Sequence, residues 1–87
     1  MKNKLHTIII TVYDREAAFN QVSSLLHHYA KNIQARLGYP VPDCNVAVIF
    51  LIMKMTTDEL GALSGKLGQL PQVSVKATTL KIDQEKK

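Results

Sequence analysis

Few side chains in this sequence could do chemistry, and their spacing limits what each could do. His27 and His28 are adjacent. On a helix their rings diverge by about 100°. A helical zinc pair places its ligands four residues apart so that both rings reach one ion. That spacing is absent, and the two read as solvated histidines beside Asn20, Ser24 and Lys31. His6 is in phase with the apolar Ile8 and reads as a partly buried histidine. Cys44 is the only cysteine. It excludes an intramolecular disulfide and fits a reducing compartment. With a histidine of another subunit it could hold a soft metal. A metal-sensing domain using Cys44 and histidines is therefore one alternative reading, although no metal ligand set is assigned within the chain.

Ser64 is the best-placed hydroxyl, but no histidine lies near it in sequence to act as a base. Asp14, Asp58 and Glu59 are accounted for as groups at helix N-termini. The chain therefore reads as a non-enzyme, and no cofactor is assigned. A small oligomeric enzyme with its site between subunits is a further alternative. It would need an acid or nucleophile with a perturbed environment, and the sequence singles out none.

The segment Gly61-Ala62-Leu63-Ser64-Gly65-Lys66-Leu67-Gly68 carries more information. It has a helical pattern, yet each interior glycine costs about 1 kcal/mol relative to alanine. Gly61, Gly65 and Gly68 share a face, beside a stripe of Leu60, Leu63, Leu67 and Leu70. A bare face lets another backbone or a ligand approach closely. Two readings stand: close packing against the chain's own sheet or a partner helix, or a small-molecule site between subunits. In the second, the glycine helix meets the Tyr39-Pro40 loop, and Lys66 could pair with an anion. Tyr39, Pro40, Gly61, Ser64, Gly65 and Gly68 are thus the candidate residues for effector binding or subunit contact. The glycines lack Walker spacing and lie within a helix, so they do not read as a phosphate cradle.

The elements that must position these residues follow from periodicity. Leu5 to Tyr13 reads as a strand, with Ile8, Ile10 and Val12 on one face and Leu5, Ile9 and Tyr13 on the other. Asp14 caps a helix with a stripe of Ala18, Val22, Leu25 and Tyr29, widened by Phe19 and Leu26, expected to end near Lys31. Ile33 to Tyr39 alternates as an edge strand, with Ile33, Ala35, Leu37 and Tyr39 on one face. The segment from Gly38 to Asp43 then reads as a loop, because Pro40 and Pro42 stop both helix and sheet pairing. Val46 to Lys54 is apolar on both faces. Thr56 and Glu59 form a capping box for the glycine helix, which runs to about Gly68. Pro71 closes a turn, and Val73 to Ile82 alternates as the last strand. Residues 83–87 read as a frayed tail.

The order β-α-β-β-α-β, with strands one and three apolar on both faces, predicts an α+β ferredoxin-like sandwich. Its antiparallel sheet has the order 4-1-3-2, and both helices lie on one face. The other face keeps Ile9, Tyr13 and half of the third strand's apolar residues, and an uncovered apolar face marks an interaction surface. A homodimer or homotetramer is expected. Residues 1–87 read as one small binding or assembly domain with an ordered core of about 5–82, and a domain of this size has modest stability of its own.

The 87 residues carry a formal net charge of +4. No basic stripe interleaved with aromatics accompanies it, so nucleic acid is expected to be contacted only indirectly. Residues 1–13 do not form a signal peptide. The longest apolar run, Val46 to Met53, is far below the roughly 18 residues of a bilayer span. A cytoplasmic protein without a membrane partner is the expectation.

Taken together, Tyr13-Asp14-Arg15-Glu16, Leu37-Gly38-Tyr39-Pro40-Val41, Ala47-Val48-Ile49-Phe50-Leu51 and the segment from Gly61 to Gln69 resemble the small regulators associated with the iron-only hydrogenase system. The resemblance runs from about Leu5 to Lys81. It implies an ACT-like fold, similar to the ligand-binding domain of nickel-responsive transcription regulators, and it implies oligomers. The family favours glycine where Gln72 stands, so the local turn shape departs from the pattern. His6, His27, His28 and Cys44 do not reproduce the spacing of the nickel regulators' metal set. There is no room before Leu5 for a ribbon-helix-helix segment, so any action on transcription is expected through a partner. The implied function is a transcriptional regulator of an iron-only hydrogenase system, acting as an oligomeric, ACT-like effector-sensing domain without its own DNA-binding motif.

Overall fold

The computed structural model describes residues 2–82; the expected frayed tail lies outside them. Four strands and two helices follow in the order β1 (Lys4–Val12), α1 (Arg15–His27), β2 (Ile33–Pro40), β3 (Ala47–Met55), α2 (Thr57–Gly68) and β4 (Val73–Thr79). The sheet order is β2-β3-β1-β4, all neighbours antiparallel. This is the expected 4-1-3-2 arrangement read from the other edge.

Alternation decides which residues enter the core. His6, Ile8, Ile10 and Val12 of β1 are fully buried, as are Leu51, Met53 and Met55 of β3. They meet Ala18, Val22 and Leu26 of α1 and Leu60, Leu63 and Leu67 of α2. Burying each large aliphatic side chain contributes about 1.5–3 kcal/mol. Val73 and Val75 of β4 pack against this layer from its edge.

Both helices start where the sequence places their caps. Asp14 has extended backbone angles, and its carboxylate accepts from the Ala17 N–H at 3.2 Å and from the Asn45 side-chain amide at 2.7 Å. Thr56 and Glu59 close the full capping box, through a bond from the Glu59 N–H to the Thr56 hydroxyl (3.1 Å) and one from the Thr56 N–H to the Glu59 carboxylate (2.9 Å).

Gly38, Tyr39 and Pro40 pair with β3 as the end of β2 rather than opening the expected loop, and three further expectations need correction. α1 ends at His27, not near Lys31. The chain tightens there: the Tyr29 N–H bonds the Leu26 carbonyl at 2.9 Å, and a 3-10 turn follows over Ala30–Asn32. The Asn32 side-chain amide then donates to the Lys54 carbonyl at 3.0 Å, which ties the turn to the end of β3. Secondly, Ile33 does not share a face with Ala35, Leu37 and Tyr39. A bulge between Ile33 and Ala35 shifts the register, so Ile33 opposes Met53 while Ala35 opposes Ile52. A shift of one residue reverses the side chain's direction, and Ile33 packs on the core. Finally, β4 stops at Thr79 rather than Ile82. Its last rung is the Leu80 N–H to the Leu5 carbonyl at 2.9 Å, opposite the start of β1.

Candidate functional site

Helices cover one face of the sheet only. On the other, Leu5, Thr7, Ile9 and Thr11 of β1 lie beside Val48, Phe50 and Ile52 of β3, with Leu37 and Tyr39 of β2 alongside and the exposed Tyr13 just past the end of β1. Ile9 is 43% exposed, Leu37 64% and Tyr39 55%. The two lysines of this face stand at its margins: Lys54 near the end of β3 and Lys76 on the outer strand β4. The result is an apolar centre with a polar margin.

The glycines of α2 lie elsewhere. Leu60, Leu63 and Leu67 take the core side of the helix, which leaves Gly61, Gly65 and Gly68 exposed. A Cβ added at any of the three would meet nothing within 4 Å. This overturns the reading in which they pack against the chain's own sheet. The Ser64 hydroxyl is buried in the same helix without a hydrogen-bond partner among the described residues.

Tyr39 and Pro40 end β2 at the opposite edge of the sheet from β4. The two concavities that take Pro40 contain no residue of α2. A single chain therefore does not bring Tyr39 and Pro40 to the glycine helix, and a site built from both requires a second copy.

His6 is more deeply buried than its sequence context indicates. Its Nε2 lies 2.9 Å from the Met55 carbonyl and its Nδ1 3.0 Å from the Thr79 hydroxyl. Nε2–H donates to the carbonyl, and in the neutral ring Nδ1 accepts from the hydroxyl. Both nitrogens are committed to the fold. Cys44 is exposed in the loop after β2, and His27 and His28 are exposed at the end of α1. Among the described residues no three His, Cys, Asp or Glu side chains come together to hold a metal.

A family model described as "TM1266-like: Iron-only hydrogenase system regulator, putative" matches residues 4–77. The chain belongs to the TM1266-like family. Its match starts with β1 and ends inside β4, so it spans every element of the sandwich. A solved structure of an uncharacterized protein, TM1266 of Thermotoga maritima, is 48% identical. It superposes with a TM-score of 0.88 and covers 92% of this chain and 100% of that one. The ACT domain from GTP pyrophosphokinase of Chlorobium tepidum is similar in fold. Its crystal structure gives a TM-score of 0.74 at 23% identity, covering 88% of this chain and 100% of that one. Its solution structure gives 0.69 at 22%, covering 97% and 93%. No curated protein matches the chain. The ACT-like fold expected from the resemblance is thereby shown. No helix among the described residues is long and apolar enough to cross a membrane.

Within this TM1266-like sandwich one concavity escaped the sequence reading. β2 extends beyond the cover of α1, and a groove of about 280 Å³ opens between them. Gly38, Ala47 and Ile49 line it from the sheet, Arg15 and Phe19 from α1, and Arg36 and Pro40 from β2. The available signal was register. Arg36, Gly38 and Pro40 alternate with Leu37 and Tyr39 and so point to the helix side, where no helix reaches them.

Proposed function

We propose that this chain is a cytoplasmic, non-enzymatic regulatory domain of an iron-only hydrogenase system, assembling with copies of itself through the open face of its sheet. In this reading the unit is a homodimer or homotetramer. A small effector binds at the subunit contacts, where Tyr39 and Pro40 of one copy and Gly61, Ser64, Gly65 and Gly68 of another are the residues to test. Transcription is influenced through a partner protein rather than by direct contact with DNA.

The observation that supports this reading is the apolar centre formed by Ile9, Leu37, Tyr39 and Phe50 on the uncovered face. Four antiparallel strands of seven to nine residues make a patch of roughly 20 by 25 Å. Two such patches together approach the roughly 1,000 Å² that a specific interface requires. A second copy is the favoured occupant because two identical open faces can cover each other in one isologous contact, sheet on sheet about 10 Å apart. Membership of a regulator family and the ACT-like fold support a sensing rather than a catalytic role.

Native mass spectrometry of wild type and Leu37→Asp tests the assembly. Wild type is expected as a dimer or tetramer and Leu37→Asp as a folded monomer with unchanged circular dichroism. A monomeric wild type, or a Leu37→Asp oligomer of unchanged size, would refute assembly through this face. Extra mass released from wild type on denaturation would identify a retained effector.

A further inference from the structure

We propose that the groove between α1 and β2 binds a small organic carboxylate with a compact apolar body, its carboxylate held between Arg15 and Arg36. The groove lies within one chain, so the inference goes beyond the subunit-contact site of the proposed function.

Gly38 is the first observation. A glycine inside a strand costs about 0.5–1 kcal/mol relative to alanine. Here nothing in the fold requires it. No glycine has positive φ, and a Cβ at position 38 would meet nothing within 4 Å. What the missing side chain does is keep the groove open, in a strand position that marks close approach of a ligand.

The lining is the second observation. Ala47 and Ile49 form a buried floor, Phe19 supplies a wall, and the surface is almost entirely carbon. The two arginines therefore present their aliphatic stems to the groove. Neither guanidinium has a hydrogen-bond or ion-pair partner among the described residues. They come from different elements, the first turn of α1 and the middle of β2. The acids nearby are otherwise placed. Asp14 is committed to the Ala17 N–H and Asn45, and Glu16 lines the outer depressions rather than the groove.

Two guanidiniums without a partner among the described residues, beside a carbon-lined groove, select an anion with an apolar body. Arginine binds carboxylates through paired hydrogen bonds, and the carbon lining disfavours a bare inorganic anion. The volume lies near the lower limit of small-molecule sites, which excludes a dinucleotide.

The test is a titration of the isotope-labelled full chain, followed by amide chemical shifts, with benzoate and benzylamine as probes of the same body and opposite charge. Benzoate is expected to move the amides of Phe19, Gly38 and Ile49, and benzylamine is not. Arg36→Gln and Arg15→Gln should each weaken benzoate about tenfold or more, as expected for loss of a charged hydrogen bond. Gly38→Leu should abolish the shifts by filling the groove. If that variant does not fold, Gly38→Ala should weaken them. Equal response to both probes, no response of these amides to benzoate, or undiminished binding in the arginine variants would overturn the proposal. Native mass spectra of the same samples separate the two claims. Benzoate binding by a monomer keeps the groove and removes the assembly reading, whereas an oligomer indifferent to benzoate removes the groove alone.

Discussion

Ile8 and Ile9 are neighbours of the same residue type on the same central strand, yet Ile8 is fully buried and Ile9 is 43% exposed. The contrast extends along both central strands. Ile10, Leu51 and Met53 meet the helices, while Phe50 and Ile52 face outward without cover. In sequence the outward face is less apolar, with Thr7, Thr11 and Lys54 among its residues, yet it still carries Leu5, Ile9, Val48, Phe50 and Ile52. What separates them is the supply of covering elements: two helices suffice for one face of a four-stranded sheet. A sheet apolar on both sides with helices on one side is therefore unfinished as a single chain.

The largest effect that would break this comparison comes from the covered face. Ile8→Ala should cost about 2–5 kcal/mol, as other buried large-to-small changes do, and should lower the melting temperature equally at every protein concentration. The matched Ile9→Ala change should cost well under half as much in dilute protein. Its cost should grow with concentration as the assembled form comes to dominate. Thermal melts across a hundredfold dilution series read both. Equal, concentration-independent losses for Ile8→Ala and Ile9→Ala would mean that the two faces differ in exposure but not in role.

His6 provides a sharper test of the same face, because among the described residues it is the one polar residue that is fully buried there. The imidazole joins two strands that flank its own: the Met55 carbonyl of β3 and the Thr79 hydroxyl of β4. His6→Leu puts an apolar side chain of similar size in its place but leaves the buried Met55 carbonyl and the half-buried Thr79 hydroxyl without their bonds to the ring. A loss of about 1–3 kcal/mol is expected by denaturant titration. His6→Leu together with Thr79→Val removes one orphan and should recover part of it. A neutral His6→Leu would show that the layer tolerates a fully apolar β1 and that the histidine is incidental to stability.

How far the sequence carried these conclusions differs between fold and site. Strand order, both N-caps and the leucine stripe were legible because each rests on local periodicity or on a three-residue capping pattern. Ile33 was not, because a bulge is a register event set by β3 and leaves no mark in the alternation of β2. The glycines of α2 were legible as a bare face but not as an exposed one, since periodicity gives relative phase and not the neighbour. The union of that face with Tyr39 and Pro40 failed within one chain because they belong to opposite edges of the sheet, a distance no spacing rule encodes. The α1–β2 groove was missed for a related reason. Arg15 and Phe19 lie one helical turn apart, and Arg36 and Gly38 are two residues apart in a strand. Only the lateral offset of α1 reveals that they share a cavity.

The smallest expected effect belongs to neither face and so calibrates both. Two non-glycine residues have left-handed backbone angles, Asp43 at φ 64° and Gln72 at φ 63°. Aspartate tolerates this region because its short side chain can bond locally, whereas glutamine has no such compensation. Gln72 is held there by the chain it joins. Pro71 precedes it, β4 begins at the next residue, and its carbonyl accepts the Tyr13 N–H at 2.7 Å, closing the end of β1 against the start of β4. Glycine adopts the same angles without the Cβ conflict and keeps that carbonyl. It also adds freedom to the unfolded chain, which removes part of the gain. Gln72→Gly should therefore stabilise the protein by about 0.5–1 kcal/mol, or about 2–8 °C in melting temperature for a chain of this size. Because the change is confined to the backbone of one turn, the gain should be the same in dilute and concentrated protein. A gain that scales with concentration would place this turn inside the subunit contact, and a loss would mean that the glutamine side chain is bound by a second copy.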